Sequence, residues 1–496
     1  MPTAYSRLTQ RFEKIALLNE ASSVLQTDAV TVMPRGGAEV RGEQQAALAQ
    51  IMHELLTAPE LADDLLEAGQ KDAPDEWATA NLRLMRRDHK KASALPAELV
   101  VAQERAHAVC EMAWRDARKN SNFAEALPHL TQVIKLAQEE AVALSAATGL
   151  SLTDAMIDKW QPQVTSADID PVFADYREFL KDALPKAEQK RAERPAPMLF
   201  GRSFPVAQQE ELCRKLSASA GLDFEHARLD ASAHPQCGGT PRDVRITTRY
   251  DERNPLGAIM AVMHETGHAL YEQGLPNKYV RQPVGHAAGM ALHESQSLFI
   301  EVQVCRSDEW LGWLGQQMQT AFGGDAAVYS AQNLAAHCRR VERSLIRVGS
   351  DALTYPAHVI LRYGLEKALL SGDLKPADLP GAWNDGMKDL LGIVPPDDAQ
   401  GCLQDIHWYV GLIGYFPSYT LGTMAAAQFM AAACKALPDI ETSVARGDLV
   451  PLRAWLRTQI HSCGSLYSFN DLLRRVTGSP LDARYYKEYL TETYLN

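Results

Sequence analysis

Two histidines four residues apart, His264 and His268, enclose Glu265 in the stretch of this sequence best suited to chemistry. They follow an apolar run, residues 255–263, that predicts a buried helix. Residues at i and i+4 share one face of a helix, so both imidazoles can offer a nitrogen to one ion. Buried polar groups are costly without partners, and a metal ion would satisfy all three side chains. The pattern is typical of a zinc-dependent peptide hydrolase, in which Glu265 takes a proton from a water on the metal.

A third metal ligand has to come from a second helix, because a catalytic zinc usually keeps three protein ligands and one open position. Residues 289–304 have apolar residues at helical spacing and predict that helix. Within it Glu294 is the best candidate, and spacing favours it only modestly over His293 and Glu301. Glu301 could equally face solvent, and His293 could instead support a carboxylate from outside the ligand set.

Several motifs in order along the chain resemble the carboxypeptidase Taq family of zinc metallocarboxypeptidases. The metal helix is followed by His293-Glu294-Ser-Gln-Ser297, as in that family. Its other motifs match this sequence at Asp243-Val-Arg245-Ile-Thr247, at Ile346-Arg347-Val-Gly-Ser-Asp351, and at Gly401-Cys-Leu-Gln404-Asp405-Ile-His407-Trp408. The one departure is Ser350, which stands where the family has alanine. The resemblance covers nearly the whole chain.

The resemblance implies that His264, His268 and Glu294 bind one Zn²⁺ and that Glu265 is the general base. It implies a protein that removes single residues from peptide C-termini with broad specificity and acts as a homodimer. It also implies a mostly helical fold around a deep groove, distantly related to neurolysin and angiotensin-converting enzyme. Co²⁺ or Mn²⁺ would also suit two imidazoles and one carboxylate.

An exopeptidase that acts at a C-terminus has to bind a free carboxylate, and the planar fork of arginine suits two oxygens. Arg347 is the first candidate and Arg245 the second. The sequence alone leaves open a plain i,i+4 helix pair between Arg347 and Asp351. We expect the neighbouring motif residues Asp243, Thr247, Gln404 and Asp405 to contribute to substrate binding.

Hydrolysis also builds negative charge on the carbonyl oxygen, which a Tyr or His donor can stabilise. Tyr419 is the first choice for this donor, with His407 and Tyr415 as alternatives, and His234 is a further candidate to face the site. Each of these residues could instead be part of the core with its polar atoms satisfied.

Residues 243–250 alternate and are rich in β-branched side chains, which predicts a short strand. With residues 224–229 it would form a small antiparallel sheet, after a turn at Gly238-Gly239-Thr-Pro241. The strand edge could pair with an extended substrate. Alternatively, the ribbon is structural, with Asp243 and Arg245 in ion pairs.

The remainder of the sequence predicts an all-α fold: residues 4–27, 38–57, 95–119 and 122–147 have apolar residues at helical steps. We expect one catalytic domain over residues 1–496, with a helical portion (1–220) and a motif-bearing portion (221–496). The net charge of −12 argues against nucleic acid as a partner. Eight widely spaced cysteines predict reduced thiols. The absence of a signal core and of a long apolar segment predicts a cytoplasmic protein without membrane contact.

Two other classes of function remain open at this point. An endopeptidase or a dipeptide-releasing enzyme could use the same zinc site. A helical binding or scaffold protein could carry a structural zinc or none, although structural sites normally have four protein ligands.

Overall fold

The computed structural model describes residues 2–69 and 75–496, and these residues are mostly helical, as the sequence predicted. The four long N-terminal helices lie within a few residues of their predicted bounds. The α-helices in chain order are α1 (Ala4–Thr31), α2 (Ala38–Thr57), α3 (Pro59–Glu67), α4 (Glu76–Ala94), α5 (Ala97–Asn120), α6 (Phe123–Thr148), α7 (Leu152–Ile157), α8 (Ser166–Glu193), α9 (Val206–Ala220), α10 (Pro255–Gly274), α11 (Met290–Leu298), α12 (Asp308–Phe322), α13 (Ala331–Cys338), α14 (Tyr355–Ser371), α15 (Leu379–Leu391), α16 (Pro417–Ala436), α17 (Ile440–Val444), α18 (Val450–Gln459), α19 (Phe469–Thr477) and α20 (Arg484–Leu490).

The chain divides into two compact units, each assembled from separate segments of sequence. The first unit comprises residues 1–92, 196–338 and 425–480. The second comprises residues 93–195, 339–424 and 481–496. A single catalytic domain over the whole chain remains a prediction.

One small sheet lies in the first unit, and its topology differs from the predicted antiparallel ribbon. Its strands are β1 (Ala227–Ala231), β2 (Gln236–Thr240) and β3 (Asp243–Thr248), in the order β1-β3-β2. β2 and β3 form an antiparallel hairpin, whereas β1 runs parallel to β3. The sheet is therefore mixed, and β3 has no free edge for a substrate because it is paired on both sides.

The prediction failed because Gly238 and Gly239 were assigned to a turn, whereas both lie in β2. These glycines let α1 approach the strand closely. A Cβ at Gly238 would lie 2.9 Å from the Thr27 hydroxyl. The Gly239 N–H and carbonyl both hydrogen-bond the Ser23 hydroxyl, at 3.1 and 2.9 Å. Glycine is therefore needed at these two positions so that α1 can pack on the strand. Strand propensity alone does not predict such a strand.

Helix α10 is the central helix of the first unit. The Asn254 side chain accepts a hydrogen bond from the Gly257 N–H, and Pro255 occupies the first turn, so the helix begins where the sequence predicted. Most of its residues from Val262 to Tyr271 are buried. Helix α11 packs against it, and its chain continues as a π-helix over Phe299–Val304.

Gly267 sets the distance between α10 and α11. A Cβ at this position would lie 2.4 Å from the carbonyl oxygen of Gln296 and 2.6 Å from Cα of Ser297. These are backbone atoms of α11, so no side-chain rotation could relieve the overlap. The close approach brings α11 within reach of the histidines on α10.

Replacing Gly267 by Ala is expected to push α11 away and to lower the free energy of unfolding by about 1–3 kcal/mol, the usual cost of overpacking. Chemical denaturation would measure this loss. Gly312→Ala in α12 is the matched control, because its Cβ would meet only the Cβ of Ala331, at 3.9 Å. An alanine there should be neutral or stabilising, since glycine weakens a helix interior by about 0.5–1 kcal/mol. Equal stability of the two variants would contradict the packing role of Gly267.

All eight cysteines are thiols, as predicted. Among the described residues, no helix combines the length and apolarity required to cross a bilayer.

Candidate metal centre and carboxylate-binding cluster

Helices α10 and α11 bring His264, His268 and Glu294 together in the first unit, with one ligand atom from each within 4.8 Å of the others. Nε2 of His264 and Nε2 of His268 each lie 3.7 Å from Oε2 of Glu294. Both distances are too long for a hydrogen bond. They are close to the ~3.3 Å that separates two ligands of one tetrahedral zinc with bonds of about 2.0–2.1 Å. The three side chains therefore fit a single divalent cation.

The outer nitrogens of both histidines are held by other side chains. Nδ1 of His264 donates to Oε2 of Glu301 at 2.9 Å. Nδ1 of His268 lies 2.6 Å from Nδ1 of His293, whose Nε2 faces Oε1 of Glu272 at 2.7 Å.

These contacts fix the tautomers of the two histidines. Because His293 donates to the Glu272 carboxylate through Nε2, its Nδ1 is an acceptor and His268 donates to it. With each Nδ1 hydrogen used in this way, Nε2 of each neutral imidazole is the nitrogen that carries the lone pair for a metal. Glu301 and His293, which spacing ranked only modestly below Glu294 as metal ligands, thus contact the outer nitrogens of the two histidines instead.

The electrostatics of this cluster favour a bound cation. Burial disfavours a charged His264, but its hydrogen bond to Glu301 and the charges of Glu265, Glu301 and Glu294 raise its pKa to about 9. A divalent cation at Nε2 would supply positive charge in place of that proton. Burial keeps the pKa of His268 well below its ordinary value, so its imidazole is neutral.

Glu265 lies beside the triad on α10 and is 5% exposed. No donor in the described part of the chain hydrogen-bonds its carboxylate. Burial, reinforced by the charges of Glu294 and Glu301 against the opposing effect of His264, raises its pKa to about 7. A carboxylate with a pKa near neutrality can take up and release a proton at the pH of most cells.

Glu301 is held by two partners, which lower its pKa to about 2 despite its burial: Arg306 and His264. Replacing Glu301 by Gln should lower the affinity for a divalent metal by roughly 10- to 100-fold, the usual effect of losing a carboxylate behind a histidine ligand. Competition against a chromogenic chelator would measure this affinity. Glu252→Gln is the control, since Glu252 is exposed and lies outside the cluster. Equal metal affinity in the two variants would exclude an orienting role for Glu301.

A second cluster of motif residues lies in the second unit, around a buried Arg347. Its Nε and Nη2 donate to Oδ1 of Asp405 at 3.2 and 2.8 Å, and its Nη1 donates to the Tyr355 hydroxyl at 2.7 Å. The guanidinium also lies over the ring of Tyr419, 4.8 Å from the centroid. Two of its five N–H groups have no partner among the described residues.

The pairing of Arg347 with Asp351 that the sequence left open does not form. Arg347–Gly349 form a 3-10 turn that ends at an extended Ser350 (ψ 148°), so the i,i+4 geometry of an α-helix is absent. Asp351 instead accepts hydrogen bonds from the backbone N–H groups of Glu342, Leu353 and Thr354.

Asp405 and Gln404 hold Arg347 in place by hydrogen bonds. Asp405 also accepts from Nε of Arg362 at 2.7 Å, so one carboxylate lies between two guanidinium groups. These charges hold its pKa far below the ordinary range despite its burial. Oε1 of Gln404 accepts from the Arg347 backbone N–H and from Nη2 of Arg362. Both residues therefore hold the two arginines in place.

The candidate oxyanion donors belong to the same unit and contact one another. Nε2 of His407 lies 3.2 Å from the Tyr419 hydroxyl. The ring of Tyr415 packs edge-on against Tyr419, with centroids 5.2 Å apart. Burial, together with the charge of Arg347, lowers the pKa of His407 to about 3, so its imidazole is neutral at physiological pH. A neutral His407 and a Tyr hydroxyl are both suitable hydrogen-bond donors.

The motif residues on β3 make contacts that stabilise the sheet. Arg245 forms a two-point ion pair with Asp243, at 3.0 and 2.7 Å. The Thr247 hydroxyl accepts from the Ser232 hydroxyl at 2.7 Å and donates to the His234 carbonyl at 3.3 Å. His234 itself is exposed. These contacts match the structural alternative for the ribbon.

The sequence analysis missed three buried polar residues on α14: His358, Arg362 and Glu366. Glu366 accepts from the Trp408 indole at 2.7 Å and from the Gly414 N–H at 3.1 Å. These three polar residues recur at every fourth position of an otherwise apolar helix, and that spacing would have revealed them.

Two histidines and a glutamate that fit one divalent cation, with a buried glutamate beside them on a helical fold, are the features of a metallopeptidase. The family model for carboxypeptidase Taq (M32) metallopeptidases matches residues 7–494. The chain therefore belongs to this family, and it is a metallocarboxypeptidase, a hydrolase of peptides.

Known proteins resemble the chain over nearly its full length. Thermostable carboxypeptidase 1 of Thermus thermophilus is 36% identical over 502 residues, which cover 99% of this chain and 98% of that protein. Carboxypeptidase 1 of Bacillus subtilis is 32% identical, covering 98% and 96% of the two chains. Metallocarboxypeptidase 1 of Trypanosoma cruzi has a solved structure that matches with a TM-score of 0.96 at 35% identity, covering 99% of both chains.

Proposed function

We propose that this protein is a zinc-dependent carboxypeptidase that releases single amino acids from peptide C-termini with broad specificity, with Glu265 as its general base. The observation that carries the proposal is the convergence of His264, His268 and Glu294 beside a buried glutamate that has no hydrogen-bond donor in the described chain. Three ligands leave a coordination position open, as in catalytic rather than structural zinc sites.

Zinc is the proposed metal because two imidazoles and one carboxylate suit it, although Co²⁺ and Mn²⁺ accept the same donors. When bound, the cation polarises the scissile carbonyl and makes a water acidic enough to be deprotonated near pH 7. Glu265 accepts the proton of the attacking water. It then passes that proton to the leaving amine, and its pKa near 7 suits both steps.

We further propose that Arg347 binds the free α-carboxylate of the peptide. Its two remaining N–H groups can meet two carboxylate oxygens, while Asp405 and Gln404 hold the guanidinium in place. Tyr419, supported by His407, would donate to the developing oxyanion, and Tyr415 would pack beside it. Arg245, with Asp243 and Thr247 on β3, is the alternative substrate-binding group, and His234 a further one.

A homodimer in the cytoplasm also remains a proposal, which rests on the family resemblance and on the sequence. Light scattering on the purified protein would give its mass in solution, and a monomer would dismiss the dimer.

The most informative test compares one peptide with a free C-terminus and its C-terminally amidated twin, each digested with and without a chelator. Mass spectrometry should show a ladder of single-residue losses from the free peptide only, which disappears when the metal is removed. Cleavage of both peptides alike would favour an endopeptidase on the same metal site. Losses of two residues at a time would favour a dipeptide-releasing enzyme.

A further inference from the structure

A cavity of about 400 Å³ lies in the first unit at the C-terminal end of α10, beyond the metal ligands on that helix. Leu270, Gln273 and Gly274 of α10 form one wall. The β2–β3 turn contributes Arg242, and α18 contributes Arg453 and Arg457, which lie four residues apart and therefore on one face of that helix. Two separate elements thus direct three arginines to one opening.

The charge around this cavity is strongly positive. None of the three arginines forms an ion pair with a carboxylate in the described part of the chain. Among the described residues that line the cavity, Asp223 alone is acidic, and its carboxylate is 2.8 Å from Nδ1 of His226. That hydrogen bond lowers the pKa of Asp223. The cavity therefore presents three positive charges and one negative charge, an excess suited to a dianion.

Hydrogen bonds keep the cavity in shape. The Gln273 side chain accepts from the Asp223 N–H at 3.0 Å and donates to the Asp223 carbonyl at 2.9 Å. Nη1 of Arg453 donates to the Gly221 carbonyl at 2.7 Å. A Cβ at Gly221, whose φ is +99°, would overlap this guanidinium at 2.1 Å, so the glycine leaves room for it.

His461 forms the buried floor, and it is 1% exposed. Its Nε2 donates to Oε1 of Gln296 at 2.9 Å, because the Gln296 amide nitrogen is used by Ser295. Its Nδ1 has no hydrogen-bond partner among the described residues. A Cβ at Gly274 would lie 2.5 Å from this nitrogen, so the imidazole packs closely against α10 and shapes the floor of the cavity.

We propose that this cavity binds a small organic phosphate, with its phosphate monoester on Arg242, Arg453 and Arg457. A phosphate monoester concentrates nearly two negative charges on three acceptor oxygens at pH 7, which a single carboxylate does not. Arginine forks bind such oxygens in pairs. The volume lies in the range of sites for small organic ligands, and Leu270 and Pro241 provide apolar surface for the ester group.

Isothermal titration calorimetry of the metal-loaded full-length protein with glucose 6-phosphate, and separately with inorganic phosphate, tests this proposal. We expect one saturable site for the ester, with inorganic phosphate binding more weakly. Arg242→Gln and Arg457→Gln should each reduce the affinity about 10-fold or more. Both side chains are exposed and donate no hydrogen bond to the described chain, so the variants should fold and retain their peptidase activity.

Arg249→Gln is the matched control, because Arg249 is exposed in the same unit but outside the cavity. Phosphate also binds divalent metals, so only the loss of affinity in the two cavity variants assigns the ligand to this site. Unchanged affinity in both would overturn the proposal. Inorganic phosphate binding as tightly as the ester would overturn the assignment to an organic ligand.

Discussion

Replacing Glu265 by Gln is expected to lower kcat for peptide hydrolysis by roughly 10²- to 10⁴-fold, the usual contribution of a general base. Gln has nearly the same shape, but it cannot accept the proton of the attacking water. The metal should stay bound at full occupancy, because Glu265 is not one of the three converging side chains. Single-turnover kinetics together with metal analysis would measure both quantities.

Glu210→Gln is the control for this variant, because Glu210 is exposed on α9 in the same unit. It should keep both the metal and the activity. If Glu265→Gln lost the metal, Glu265 would be a ligand rather than the base. If it kept wild-type turnover, another group would have to accept the proton.

Replacing Arg347 by Lys is expected to remove the preference for a free C-terminus. A lysine keeps the positive charge next to Asp405, but it cannot present two parallel donors to a carboxylate. We expect kcat/KM for a free peptide to fall roughly 10- to 100-fold, which corresponds to the loss of one charge-assisted hydrogen bond. The slow rate on the amidated peptide should stay the same, so that the ratio of the two rates falls.

Arg362→Lys separates this effect from a loss of stability. Arg362 is fully buried and shares Asp405 with Arg347, so its replacement should also weaken the cluster. Because we assign Arg362 a supporting role, the ratio between free and amidated peptides should survive in this variant. A ratio unchanged in Arg347→Lys, or lost equally in both variants, would contradict the carboxylate-binding role of Arg347.

The metal site was largely predictable because its core is local in sequence. Helical spacing alone places His264 and His268 on one face and displaces Glu265 from it. The choice among Glu294, His293 and Glu301 was not local. It depends on which face of α11 meets α10, and the backbone contact at Gly267 settles that packing.

The hydrogen-bond partners of Arg347 could not be predicted from neighbouring residues either, because they too depend on contacts between distant parts of the sequence. Its main partner, Asp405, is 58 residues away in sequence. The chain between Arg347 and Asp351 becomes extended at Ser350, which removes the helical pairing of these two residues. The prediction of the sheet failed at β2, because its glycines are there for the packing of α1 and have low strand propensity. Patterns of a few residues predicted the helices, the strand β3 and the pair of histidine ligands. Tertiary packing determined the hydrogen-bond partners of Arg347 and the order of the strands.

Anomalous diffraction at the zinc absorption edge, on crystals of the metal-loaded protein, tests the central claim most directly. One peak is expected about 2.0–2.2 Å from Nε2 of His264, Nε2 of His268 and a carboxylate oxygen of Glu294. A fully active protein with its only peak elsewhere, or with a fourth protein ligand closing the site, would contradict the proposed catalytic centre.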